Sequence, residues 1–124
     1  QTEAMGLLGW FWIYACVLSV LHAAMEEYYW RWFVFTNLER GLGVPWMAHG
    51  LAAVAFMGHH IIVLTQFFPV GFALFLSVCV GIGGLIWTML YRVQGTLMGA
   101  WVSHMIVDFG IMAAGWYLMM RPGS

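Results

Sequence analysis

Residues 72–91 pass through a membrane-crossing length without a single Asp, Glu, Lys, Arg or His. Stretches almost as apolar lie on both sides. A helix needs about 20 consecutive apolar residues to span the hydrocarbon core of a bilayer, and only helices or closed barrels satisfy their backbone polar groups there. No alternation of period two, which a membrane barrel requires, is present. The expected fold class is therefore all-α: a polytopic membrane helix bundle with about four transmembrane helices, forming one domain over residues 1–124. Punctuation places the spans at 5–37, 46–67, 72–91 and 96–120. The polar and glycine-rich segment 39–45 ends the first helix and lets Pro45 start the second. Phe68-Pro69-Val70-Gly71 and Arg92-Val93-Gln94-Gly95 read as turns, and residues 121–124 as a terminal stop.

Composition agrees with lipid as the solvent for much of the surface. Only 7% of the residues are charged, 64% are hydrophobic, and all four basic residues are arginine. A soluble domain of this size needs a polar exterior that these residues do not supply. The net charge of -1 and the lack of a basic cluster exclude nucleic acid and a polybasic contact with anionic lipid as expected partners. Cys16 and Cys79 sit inside apolar runs and are expected to act as small buried hydrophobes, not as a disulfide. Gln1 in place of methionine fits a processed chain or a fragment, and the first apolar run lacks the basic flank of a signal peptide. With Arg40 and Arg92 on one side and Arg121 on the other, loops one and three are expected to be cytoplasmic, in the cell (inner) membrane. Trp10, Trp12, Trp32, Trp46, Trp87, Trp101 and Trp116 lie mostly toward segment ends and read as interfacial anchors. Ser77, Gly81 and Gly84 recur at helical spacing and mark a close-packing face, a device that Gly95 and Gly99 repeat.

Against this background the few ionisable residues are informative, because charge inside a membrane is costly and usually functional. Glu27 and Arg31 are four apart, with the acid first, the favourable order for an ion pair on a helix. Glu26 lies about 100° around the helix from Glu27 and meets a different neighbour. It is the candidate reactive group, since a carboxylate in low dielectric is a stronger base once ionised; the alternative is that both acids cap the interfacial end of the helix. In the second span, Phe56 and His60 share a face, with His49 on nearly the same side and His59 elsewhere. A lone histidine in a membrane helix is most often a hydrogen-bonded packing residue, and His59 is read so before the others. In the fourth span, His104 and Asp108 are four apart and could orient one another, bind a metal or satisfy each other. His22, four before Glu26, is read as a supporting donor at most.

The motifs Glu26-Glu27-Tyr28-Tyr29-Trp30-Arg31, Phe56-Met57-Gly58-His59-His60 and His104-Met105-Ile106-Val107-Asp108 match EExxxR, FxxxH and HxxxN/D in order. The chain thus resembles the CPBP family of intramembrane proteases, named for CAAX-processing and bacteriocin-processing proteins. The resemblance runs from about Met5 to the end of the chain. It implies an intramembrane endopeptidase in which Glu26 and His60 activate a water molecule, Glu27 and Arg31 hold the first motif in shape, Phe56 supports the second, and His104 with Asp108 stabilises the oxyanion. An asparagine amide at the last position can donate a hydrogen bond, whereas an ionised Asp108 cannot. Asp108 would then have to be protonated, orient His104 or ligate a cation.

No permanent metal is expected, although Glu26, His60, His104 and Asp108 are chemically adequate for zinc. The expected partners are membrane lipid and a peptide or protein substrate. Two other readings stay open: an inactive accessory subunit of a larger membrane complex, and a subunit whose histidines ligate a haem or chlorophyll-type pigment.

Overall fold

The structure is a computed structural model that describes residues 2–120, with side chains from residue 9 onward. It is all-α among the described residues: α1 (Thr2–Glu27), a π-helical segment (Tyr28–Phe35), α2 (Thr36–Leu42), α3 (Pro45–Leu64), α4 (Val70–Gln94) and α5 (Met98–Met119). Four helical stretches are long and apolar enough to cross a membrane: Gly9–Leu42, Pro45–Leu64, Val70–Gln94 and Met98–Met119. The chain divides into two compact units, a central one over Glu27–Ala100 and a terminal one formed by Gln1–Glu26 with Trp101–Ser124.

In the central unit, α3 and α4 pack through small residues. Ala73, Ser77, Gly81, Gly84 and Thr88 form the buried stripe of α4. A Cβ at Gly81 would lie 3.1 Å from Met57 Cβ, and one at Gly84 would lie 2.7 Å from Phe56 Cδ1. The missing side chains let the helices approach, which in lipid is the main source of association because burial from water contributes nothing there. Ser77 Oγ donates back to the Ala73 carbonyl at 2.8 Å, so its hydroxyl is satisfied within the helix. Near the other end of the pair, Phe35, Ala48 and Ala52 form a core with Leu38 and Tyr91 against it. His49 stacks on Phe35 with ring centroids 4.6 Å apart and hydrogen-bonds through Nδ1 to Thr88 Oγ1 at 2.9 Å. It is a packing residue. Arg92 Nε and Glu39 Oε1 are 2.6 Å apart, so the ends of α2 and α4 lie at one level.

The helix limits differ from those read in the sequence, for local reasons. The first long helix continues through Leu42 and α4 through Gln94, past the polar residues expected to end them. Each stops only where a glycine takes up the left-handed conformation, Gly43 at φ 64° and Gly95 at φ 67°. In that conformation each glycine N–H closes the helix end on a carbonyl four residues back, at Glu39 and Tyr91. Gly95 is thus a cap and not a packing surface. Pro45 opens α3 behind an extended Val44, as expected. Arg121 and the terminal stop lie outside the described residues.

The terminal unit pairs α1 with α5. Ala15, Ser19 and Ala23 are buried on α1, again small and four apart. Trp101 Nε1–H donates to the Val20 carbonyl at 3.0 Å. Phe11 and Trp116 pack at 4.8 Å, and Trp12 meets Trp116 at 5.5 Å and Phe109 at 5.8 Å. These tryptophans hold helices together as well as facing outward. Trp87, expected at the interface, is instead buried in the central unit. Cys16 and Cys79 are free thiols on exposed helix faces, not in the core.

Gly84→Leu should test the small-residue packing. A side chain there must displace the Phe56 ring, and overpacking of this kind costs about 1–3 kcal/mol. The expected result is a lower unfolding temperature in detergent, with Gly50→Ala showing no such loss because nothing lies within 4 Å of a Cβ at Gly50.

Candidate active site

The adjacent acids of the first motif have different partners. Glu27 pairs with Arg31, Oε2 to Nε 3.0 Å, and both side chains are essentially inaccessible. The arginine is enclosed by aromatic faces as well: its guanidinium carbon lies 4.6 Å from the Phe56 ring centroid and 5.3 Å from that of Trp87. Cation–π contacts of this kind strengthen when the cation is desolvated. The ion pair stands at the start of the π-helical segment, and at the segment's far end Thr36 Oγ1 donates to the Arg31 carbonyl five residues back at 3.1 Å. Such segments recur at functional sites because the wider turn changes the direction in which side chains project.

Phe56 connects the first and second motifs. Its ring lies under Arg31, 5.3 Å from Trp30 and 4.5 Å from His60. The carbonyl of Phe56 accepts a hydrogen bond from His60 Nδ1 at 3.1 Å, which makes Nε2 the acceptor nitrogen of the neutral ring. His59 is exposed and meets Trp30 at 5.9 Å.

In the terminal unit a second cluster forms around Glu26. Its Oε2 lies 3.6 Å from His104 Nε2, and its Oε1 lies 3.6 Å from His22 Nε2. His104 Nε2 is also 3.5 Å from Asp108 Oδ1. The other oxygen of that carboxylate, Oδ2, accepts a hydrogen bond from His22 Nδ1 at 3.2 Å. Two imidazoles and two carboxyl groups therefore alternate around one small volume, with Glu26 and His104 buried, Asp108 half-buried and His22 exposed. A cavity of about 300 Å³ adjoins it, lined by Leu18, Ser19, His22, Asp108, Ile111 and Met112.

A family model described as Rce1-like, type II CAAX prenyl endopeptidase, matches residues 8–110. The chain belongs to the Rce1-like family. No curated protein and no solved structure matches it. Membership and the four apolar helices together make this an integral membrane protein of a membrane-protease family.

The motif residues of this Rce1-like chain fall into two groups. Glu26, His104 and Asp108 meet in the terminal unit, while Glu27, Arg31, Phe56 and His60 are gathered in the central one. Glu27–Arg31 and His104–Asp108 follow from helical spacing. His22 was undervalued by sequence reasoning: its spacing to Glu26 was visible, but its bond to Asp108 joins residues far apart in the chain. His22, Glu26 and His104 each offer a ligand atom, all within 4.8 Å of one another, so they could hold a metal ion. Trp87 was missed as a platform for Arg31, and no feature of the local sequence announces that role.

Truncating one partner of a buried ion pair leaves an uncompensated charge, which costs about 3–5 kcal/mol, whereas replacing both by apolar residues is far milder. Arg31→Met alone should therefore destabilise the protein more than Glu27→Leu with Arg31→Met together. Denaturation in detergent, arranged as a double-mutant cycle, would read this directly; strictly additive losses would contradict a coupled pair.

Proposed function

We propose that this chain is an intramembrane endopeptidase that hydrolyses a peptide bond of a membrane-associated substrate, with Glu26 as the base. The observation that carries this reading is the placement of His104 Nε2 between Glu26 Oε2, at 3.6 Å, and Asp108 Oδ1, at 3.5 Å. Glu26 takes a proton from water, the resulting hydroxide attacks the substrate carbonyl, and the C–N bond breaks as the proton passes to the leaving amine. An N–H of His104 faces the oxygen on which negative charge develops. Such donors act strongly in a water-poor site because the protein has already oriented them. Family membership supports a CAAX-type peptide as substrate, and a prenyl group on it fits an enzyme whose outer surface is apolar.

His60 enters the proposal through its motif: its Nδ1–H is committed to the Phe56 carbonyl, which fixes the ring orientation and presents Nε2 as the basic nitrogen. The arrangement of Glu27, Arg31 and Phe56 has a supporting part, holding the π-helical segment that follows Glu26. Asp108 also favours a second reading. A carboxylate in place of an asparagine amide removes a donor from the oxyanion, which suits a non-catalytic subunit of a larger membrane complex.

A cleavage assay on a prenylated CAAX-type peptide in liposomes separates the readings. Glu26→Gln should abolish turnover, and His60→Ala and His104→Ala should each reduce kcat by about 10²–10³, the usual effect of losing one oxyanion donor or base. Asp108→Asn, which restores an amide donor, should keep or raise the rate. A wild-type chain that cleaves nothing, with Asp108→Asn equally inert, would sink the peptidase reading and leave the accessory subunit.

A further inference from the structure

The geometry points to a transition-metal site, suited to zinc, in which His22 Nε2, the Glu26 carboxylate and His104 Nε2 are the ligands and Asp108 orients His22. It shares Glu26, His104 and Asp108 with the proposed active site, but it rests on donor chemistry and not on peptide cleavage.

Three observations carry it. First, His22 Nε2 and His104 Nε2 each lie 3.6 Å from an oxygen of Glu26, and one donor atom from each of the three residues falls within 4.8 Å of the others. Zinc bonds nitrogen and oxygen at about 2.0–2.2 Å, which sets tetrahedral neighbours roughly 3.3–3.5 Å apart. The two contacts, one to each carboxylate oxygen, are too long for an N–H···O hydrogen bond of about 2.7–3.2 Å and close to that ligand edge, with the three donor atoms no more than 4.8 Å apart. Second, the nitrogen of His22 that does not face Glu26 is the one hydrogen-bonded to Asp108, Nδ1 to Oδ2 at 3.2 Å. Metal-bound histidines almost always donate their second ring N–H in this way, which fixes the tautomer and leaves the ligating nitrogen unprotonated. Third, a cavity adjoins the cluster and is lined by His22 and Asp108 themselves. The hydroxyl of Ser19, buried and without a hydrogen-bond partner among the described residues, lines the same cavity and suits a metal-bound water.

Two histidines and a glutamate with one open position are a donor set that binds zinc in catalytic proteins. The set differs from the one read from the motifs, because His22 stands outside all three of them.

The experiment uses the full chain in detergent with any affinity tag removed, titrated with zinc by calorimetry and with Co(II) by visible absorption. One zinc ion per chain and the bands of tetrahedral Co(II) are expected for the wild type. His22→Ala should remove both signals, His22→Cys should restore binding with a thiolate ligand, and Asp108→Ala should weaken affinity by about 10–100-fold. His60→Ala should bind as the wild type does. Helicity measured by circular dichroism identifies variants that fail to fold. The site is overturned if the wild type takes up no stoichiometric zinc, if folded His22→Ala binds as tightly as the wild type, or if His60→Ala loses binding. Loss of the peptidase reading leaves these readouts unaffected, since none requires turnover.

Discussion

A guanidinium removed from water must have its charge answered within the protein, and the packing around Arg31 is that answer. Glu27 supplies the countercharge at 3.0 Å, and the faces of Phe56 and Trp87 cover the cation at 4.6 and 5.3 Å. Each contact comes from a different stretch of the chain, so satisfying one buried charge fixes α3 and α4 against the π-helical segment. Phe56 is constrained further by Gly84, where even a methyl group would collide with its ring. The small residues of α4 and the charge of the first motif are therefore parts of one packing problem. A buried ion pair is poor evidence of stability, since apolar residues of the same volume often serve better. Its retention in a chain with so few charges is better understood as a way of holding geometry.

The aromatic residue of the second motif gains a physical meaning from this arrangement. Phe56 carries Arg31 on its ring and His60 on its carbonyl. A leucine would fill comparable space but offers no π-face, so the spacing Phe-x-x-x-His joins a cation–π platform to a histidine one turn away.

Much of the fold was legible because its causes are local. The charge-free run before Tyr91, the spacing of Ser77, Gly81 and Gly84, and Pro45 after Val44 each act through neighbours in the sequence. The errors had local causes as well: polar Glu39 and Arg92 were read as helix ends, whereas these two helices end where Gly43 and Gly95 allow a positive φ. Partnerships between distant residues were not legible. Helical periodicity shows that Glu26 faces His22 and that His104 faces Asp108, since each pair is four apart. It contains nothing about His22 against Asp108, or about Trp87 under Arg31. Tryptophan placed by an interfacial rule was misassigned where a buried cation competed for it. The π-helical segment escaped notice because its aromatic run, Tyr28-Tyr29-Trp30-Arg31-Trp32-Phe33, carries no signature distinguishing it from an ordinary membrane helix.

The two chemistries assigned to Glu26 exclude each other in time, and this gives the cluster a logic of its own. A carboxylate that binds zinc is a much weaker base, so Glu26 serves as a strong free base only while no metal is bound. His22 is what biases the choice. Its Nε2 faces Glu26 while its Nδ1 is held by Asp108, so the last residue of the third motif also orients a ligand of the proposed metal site. Asparagine at 108 could accept the same bond through its amide oxygen, but as a neutral group it would bring no negative charge to a bound cation. On the two proposals together, a carboxylate at 108 costs an oxyanion a donor and favours a cation, so one side chain bears on both chemistries.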